Sequence, residues 1–525
     1  VDRPSSEGPP EQAQAQAQAQ ERARAEAQAD PRRWAMLAVL CASLLLVAMD
    51  ATILNVALPS LIKEMRPDAL EQLWIIDIYG LVLGGLLVTA GAAGDRFGRK
   101  LLFTAGFTVF GAASVLAATA GITESVLQLI AGRVLLAIGG AMVMPSTLSL
   151  IRTLFPDPHE RTLAIGIWAA VAGAGAAIGP LIGGLLVNAY SWSAAFWVNV
   201  PVVLATVVAA VLLLPEYRSP SHHDLDLAAA LLSVAGVVLT AWGVKHLAGG
   251  FRPADLAALL AGLAALTWFV RRQLQSPDPL LDVRLFTSRP FLAAALATLI
   301  AMMGIGAALY LVSLWLQYVR GYDALAAGLH TLPAALALLA SSLLTPWLLR
   351  RTGVRTALTT GLAALLCGFV LLAATPRPLG YGTIAAALVT FGIGDGMAIT
   401  AAAAVMVAAV RPERAGQAGA VSESAYELGI GFGVALLGSI HSTLFRSGMP
   451  SGLTPAARDS VGSADQAARS LGYGSPEGRA LLTAARTAFD DALATTSLAS
   501  AAIVATAAAL SAFLVPKGFR ADSAH

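Results

Sequence analysis

Apolar runs of about twenty residues recur along almost the whole chain, and no other feature limits the possible folds so strongly. A helix needs about 20 apolar residues to cross the hydrocarbon of a bilayer. There every backbone polar group must be satisfied within the protein, which leaves only helices and closed barrels. Fourteen runs can be read, near 34–56, 73–94, 101–120, 126–151, 163–188, 194–214, 225–246, 254–271, 290–317, 325–349, 355–374, 381–409, 418–445 and 491–515. The pair 225–246 and 254–271 has the weakest character, the second run being short and rich in alanine. Only 13% of the residues are charged and 57% are hydrophobic. A soluble domain covers its surface with about 25% charged residues. The bulk solvent of this chain is therefore lipid, and the predicted class is an all-α integral membrane protein.

Charge placement predicts orientation. Lys and Arg collect in alternate loops: Arg32 and Arg33, then Arg96, Arg99 and Lys100, then Arg152 and Arg161. The series continues with Arg271, Arg272, Arg284 and Arg289, then Arg350, Arg351 and Arg355, then Arg411 and Arg414, and ends at Lys517 and Arg520. That side is expected to be the cytoplasm, with both termini on it and an even number of spans. No cleavable signal peptide is expected, because the first thirty residues are polar and the first apolar stretch is too long for one. The net charge of +2 gives no sign of a nucleic-acid partner.

The low-complexity tail 11–29 favours helix but has no apolar face, so it reads as solvated. A second polar piece covers 446–490 on the outer side, where Thr454-Pro455 and Ser475-Pro476 look like capped helix starts. A short helical hairpin over the outer mouth is expected there, as a gate or as a plain solvated loop. A weak internal repeat appears: Asp95-Arg96-Phe97-Gly98-Arg99 follows the second run, and Arg350-Arg351-Thr352-Gly353-Val354-Arg355 follows the tenth. Repeated halves enclosing a midplane site are a common build of secondary transporters. The expected organisation is a cytoplasmic tail (1–33), a six-helix bundle (34–214), two extra helices with linkers (215–289), a second six-helix bundle including the hairpin (290–515) and a short tail (516–525).

Ionisable residues inside spans cost roughly 2.5–3.5 kcal/mol each at a helix centre and are functional candidates by default. Asp50 lies in the first run, Asp77 in the second, Asp395 in the twelfth between glycines, and Glu423 and Glu427 in the thirteenth. Arg133, in the fourth, reads as the only basic residue deep in a span. Each acid has a plain alternative as a structural partner of Arg133 or of a helix end. Glu423 and Glu427 are the most informative, because spacing i, i+4 puts both on one helix face. Two such carboxylates in low dielectric cannot both ionise easily, so one holds its proton more firmly. Competition between a proton and a lipophilic cation for one carboxylate is a sufficient mechanism for antiport. Arg133 reads as a coupling relay or as a fixed counter-charge. In the fifth run Gly175, Gly179, Gly183 and Gly184 permit close helix contact, and Pro180 bends the helix.

Cys41 and Cys367 lie in different apolar runs and read as buried small hydrophobes, with no metal spacing. No HExxH, Walker or Ser/His/Asp arrangement appears, which disfavours an enzyme.

These segments together resemble the fourteen-span drug:proton antiporters of the major facilitator superfamily. The resemblance covers essentially the whole chain beyond residue 33. Gly91-x-x-x-Asp95-Arg96-x-Gly98-Arg99-Lys100 is similar to that superfamily's loop signature; the resemblance implies a cytoplasmic gate built on Asp95, Arg96 and Arg99. Asp50–Pro59 is similar to a helix-1 signature, and Arg133 stands at a position linked to proton coupling. Gly175-x-x-x-Gly179-Pro180-x-x-Gly183-Gly184 resembles the antiporter signature, which implies export rather than uptake. Trp192-Ser193-x-x-Phe196-x-x-Asn199-Val200-Pro201 matches a further signature. The run Ser422–Gly429 and the hairpin after it look most like QacA-type exporters of quaternary ammonium compounds and dyes. The resemblance implies the major facilitator fold, two six-helix bundles plus two central helices. It also implies proton-coupled export of amphipathic, cationic compounds from a monomer in the bacterial plasma membrane, without cofactor or metal. Met142, Met144, Met302, Met303 and Tyr310 are candidates for apolar substrate contact. A dedicated exporter of one self-made antibiotic fits the same motifs.

Overall fold

The computed structural model describes residues 32–155, 157–216, 226–249, 252–276, 279–410 and 415–516. The expectation for the tail 11–29 lies outside them, as do Arg411, Arg414, Lys517 and Arg520. The structure is all-helical, with no strand among the described residues. The long helices are α1 (Arg33–Met65), α2 (Ala69–Phe97), α3 (Arg99–Ala118), α4 (Val126–Leu154), α5 (Pro158–Ala189), α6 (Asn199–Leu213), α7 (Leu227–Gly249) and α8 (Pro253–Gln275). They continue with α9 (Arg289–Leu314), α10 (Ala324–Thr352), α11 (Val354–Ala374), α12 (Tyr381–Ala408), α13 (Ala415–Gly433) and α14 (Pro476–Leu514). A π-turn, Val434–Gly438, carries α13 on into Ser439–Gly448. Thirteen helices among the described residues are long and apolar enough to cross a membrane. The remaining one, α5, has 32 residues, about 48 Å at 1.5 Å per residue, ample for a bilayer.

The packing repeats itself. In the first half α1 packs on α5, α2 on α4, α3 on α4 and α3 on α6. In the second half α9 packs on α13, α10 on α12, α11 on α12 and α11 on α14. The same relation joins the halves, because α2 meets α13 while α10 meets α5. The repeat also has a local signature. Gly98 (φ 113°) joins α2 to α3 and Gly353 (φ 80°) joins α10 to α11. Each turns the chain in one residue, in a region of backbone space that side-chain-bearing residues rarely enter. The weak Arg-x-Gly repeat is thus two equivalent corners. The pair α7–α8 lies outside both bundles and docks on α2.

Several close contacts between the halves lie at one end, and others, such as Gly84 against Leu428, lie at mid-span. A Cβ at Gly184 would lie 2.6 Å from the Leu325 Cα, and one at Gly328 would collide with the Pro180 carbonyl oxygen. At the same end Ser313, Gln317 and Tyr318 of the α9 segment donate to the carbonyls of Asn55, Val56 and Pro59 on α1. The antiporter-like glycines therefore have two jobs. Gly175, Gly179 and Gly183 seat α5 on α1, while Gly184 seats it against α10. Toward the other end, a Cβ at Gly166 or Gly419 would meet nothing within 4 Å. The halves are in close contact at the hairpin end, and Gly166 and Gly419 border open space toward the Gly98 and Gly353 corners.

The hairpin differs from expectation in one respect. Thr454 caps the helix Pro455–Asp459, as its Thr-Pro pair predicts. The second arm is Val461–Leu471, capped by Ser460, whereas Ser475-Pro476 begins α14 itself. Spanning helix and outer arm are continuous because the run 479–495 is rich in Ala, Leu and Arg, good helix formers, and holds no Gly or Pro. The hairpin binds the first half: Gln466 donates to the Ile62 carbonyl (2.9 Å), and the Asp459 carboxylate accepts from the Ala69 amide (2.8 Å).

Cys41 is buried, but Cys367 is exposed on the flank of α11, contrary to the expectation for both. Met142 abuts Gly106 of α3, and Met302 abuts Gly429 of α13.

Candidate functional site

The charged residues expected within spans fall into four places, which sequence distance conceals. The first is a buried network in the first bundle. Asp50 is fully buried and Arg133 is 2% exposed. Their ion pair is 2.9 Å long. The Asn199 amide donates to the other Asp50 oxygen (3.0 Å) and to the Ser114 hydroxyl (3.1 Å). Arg133 also donates to the Ile75 carbonyl (3.2 Å) and lies over the Tyr79 ring, 4.5 Å from its centre. Residues from α1, α2, α3, α4 and α6 therefore meet in one buried network around Asp50 and Arg133.

The second place is α13. Glu427 is buried and Glu423 is half-buried one turn away. Among the described residues neither carboxylate has a hydrogen bond or an ion pair. Asp490 of α14 makes an instructive contrast. Also buried, it accepts from the Trp315 indole (2.8 Å) and the Leu379 amide (3.1 Å), so it is a structural strut. Glu427 faces α2 where Gly80 leaves room: a Cβ there would lie 3.0 Å from the Glu427 carbonyl oxygen and 3.5 Å from its carboxylate. The acid pair thus stands on the seam between the halves. Tyr79 links it to the first network, being within electrostatic reach of Asp50, Arg133 and Glu427. Its hydroxyl is buried with no hydrogen-bond partner among the described residues.

Asp395 forms the third. It is 2% exposed on α12, and one carboxylate oxygen is buried without a partner among the described residues. Its flanking glycines are explained by helix approach: Gly394 abuts the Gly361 carbonyl of α11, and Gly392 and Gly396 abut α10. Tyr426 of α13 is within electrostatic reach of Asp395, Glu423 and Glu427. The three acids of the second half therefore share one neighbourhood.

The fourth place corrects the sequence reading. Arg133 is not the only deep basic residue. Lys245 of α7 is 3% exposed, and its ammonium lies 2.8 Å from both oxygens of Asp77. It also sits 3.3 Å from the centre of the Trp74 ring. Asp77 belongs to this pair and does not join the acid neighbourhood of α12 and α13. Lys245 was missed because it is one residue from the end of its apolar run, where a lysine usually reaches water. Asn199 stood only inside a quoted motif and Tyr79 was not singled out, because uncharged polar residues carry no charge signal.

At the far end, Asp95 and Arg99 form an ion pair across one helical turn around the Gly98 corner, and Arg96 lies over the Phe97 ring, 5.8 Å from its centre. The loop cluster is therefore assembled at the end of the bundles opposite the hairpin. No group of three or more His, Cys, Asp or Glu side chains suited to a metal occurs among the described residues.

Two six-helix bundles related by an internal repeat, with unpaired acids on their seam, define a secondary membrane transporter. The chain belongs to the Major Facilitator Superfamily, whose sequence profile matches residues 40–434. It is 40% identical over 488 residues to the multidrug efflux pump LfrA of Mycolicibacterium smegmatis, covering 91% of this chain and 95% of that one. It is 36% identical to the methyl viologen resistance protein SmvA of Salmonella typhimurium (87% and 93% covered), and 34% identical to the puromycin resistance protein of Streptomyces alboniger (78% and 82%). Among solved structures, an inward-facing bacterial homologue of the human lysosomal transporter Spinster superposes with a TM-score of 0.62 at 18% identity, covering 93% of this chain and 97% of that one. The chain is thus a multi-pass membrane transporter of the efflux kind.

Proposed function

We propose that this transporter couples the outward movement of lipophilic, cationic compounds to the inward movement of protons across a bacterial plasma membrane. It works as a monomer, without a cofactor, and protons are its coupling ion. The basic loops and both termini face the cytoplasm, so the end of the seam opposite the hairpin is the cytoplasmic mouth and the hairpin covers the outer one.

The observation that carries this reading is the position of Glu423 and Glu427. They stand on the seam without counter-charges among the described residues, while the Arg133 cation is already engaged by Asp50. A desolvated carboxylate without a fixed partner binds either a proton or an organic cation. In the inward-open form one of the two holds the cation, with the apolar seam taking its hydrophobic part. When the halves rock and the outer contacts between α5 and α10 part, protons from outside displace it. The protonated carrier then returns. Tyr79, which carries the Arg133 guanidinium over its ring and interacts electrostatically with Glu427 and Asp50, gives the second half's protonation a route to the first. Asp395 is the further acid in reach of the bound cation.

Dye accumulation by everted vesicles under a proton gradient tests the reading. Accumulation should collapse with an uncoupler, and Glu423→Gln or Glu427→Gln should abolish it. Accumulation that survives the uncoupler refutes antiport; full activity in both variants refutes the acid assignment. The antibiotic-resistance relative favours a second reading, export of a single antibiotic. A screen of cationic against neutral compounds separates the two.

A further inference from the structure

A cavity of about 810 Å³ lies at the hairpin end, to one side of the closed seam. Leu73 of α2, Asp255 of α8, Ser439 and Arg446 on the continuation of α13, and Gln466 of the hairpin line it, and Lys245 adjoins it with its side chain fully buried behind the lining. Behind Lys245 is Asp77. One turn further along α2 is Gly80, the residue against which Glu427 packs. Three features thus follow one another along α2: a polar cavity at the outer end, a fully buried ammonium–carboxylate pair next to it, and an unpaired seam acid beyond.

We propose that the Lys245–Asp77 pair is the loading site through which coupling protons pass from the outer cavity toward Glu427, by a path separate from that of the exported compound. This rests on the antiport reading above. One proton leaves the pair inward toward the seam, and one from cavity water replaces it, so the pair itself is unchanged. The separate path has a mechanical reason. The α1–α9 and α5–α10 contacts close the outer mouth of the seam in this conformation, whereas the cavity opens between α2, α7 and the hairpin, outside those contacts. The two helices that appear as an insertion between the repeats would then contribute chemistry to the transport cycle.

The charged and titratable groups around the pair fit this role. On the cavity side are His246 of α7, which is stacked on Trp242, Asp255 of α8, and Arg446, which is 3.5 Å from Asp459. On the inner side Arg133 is held by Asp50, and Tyr310 of α9 is within electrostatic reach of Asp77. The alternative is a strut that pins α7 to α2.

Lys245→Arg distinguishes the two, because a guanidinium preserves the charge and the ion pair but does not release a proton. The full chain is assayed in everted vesicles with ethidium as the probe and an acid-inside gradient. The expected result is a variant that is folded, as judged by its melting in detergent, but has lost gradient-driven accumulation. Wild-type-like accumulation by Lys245→Arg would overturn the proposal and leave a strut. Should the arginine variant fail to fold, Lys245→Met combined with Asp77→Asn replaces the pair with neutral groups. Coupled accumulation in that double variant overturns the proposal, and its loss in a folded protein supports it. If the wild type accumulates ethidium regardless of an uncoupler, antiport itself fails. Uncoupler-sensitive wild type beside fully coupled variants removes only the loading site.

Discussion

Removing the Asp50 carboxylate should destabilise the protein severely, and removing Arg133 as well should restore much of the loss. The pair is 2.9 Å long, with side chains 0% and 2% exposed. Deleting one member of such a pair strands a charge in low dielectric, at a cost of about 3–5 kcal/mol. That corresponds to roughly two to three and a half powers of ten in the folded-to-unfolded ratio. Asp50→Ala leaves the Arg133 guanidinium with the Ile75 carbonyl and the Tyr79 ring, neither of which carries a full charge. Asp50→Asn is milder, because its amide oxygen can still accept from Arg133. Its NH₂ meets the Asn199 side chain, whose own oxygen has no partner among the described residues and can accept after a flip. Combining Asp50→Asn with Arg133→Gln removes both charges and keeps the donors and acceptors matched. Unfolding free energies from denaturant titration in mixed micelles would measure the cycle. The expected order of stability is wild type, then the double variant, then Asp50→Asn, then Asp50→Ala, with a coupling of several kcal/mol between the two sites. Additive losses would refute the view that the two charges stabilise one another. Transport separates stability from coupling: the double variant should fold and still fail to concentrate dye.

Three further outcomes follow from the geometry. Gly328→Val drives a side chain into the Pro180 backbone at the closed end of the seam; spin labels on α5 and α10 there should report a wider separation, and an unchanged distance would show that this contact does not set the closure. Gly98→Ala and Gly353→Ala place a Cβ where φ is 113° and 80°, at a cost of about 1–3 kcal/mol each; equal losses at the two corners are expected from the repeat, and a silent change at either, by the same denaturant titration, would contradict it. Gln466→Ala and Asp459→Ala each remove one hairpin hydrogen bond to the first half, worth about 1 kcal/mol. Amide exchange at Ala69 should quicken in the Asp459 variant, and equal protection in both proteins would count against the hairpin as a clasp.

Much of the protein can be read from one dimension. Transfer of a segment into lipid depends on the segment alone, so composition and run length identify the spans, and the spacing of the α5 glycines marks a close helix contact. The corners at Gly98 and Gly353 are legible for the same reason: a positive φ is a local demand that a single glycine meets. Partnership is a different matter. Asp50 meets Arg133 across 83 residues and Asn199 across 149, and Asp77 meets Lys245 across 168. Nothing local distinguishes an acid that is held, such as Asp490, from one left unpaired on the seam, such as Glu427. The sequence could therefore name the acids but not sort them. Sorting them took the packing of α7 on α2 and of α2 on α13, because the energy of a buried charge depends on what stands within a few ångströms of it, and only the folded chain determines that.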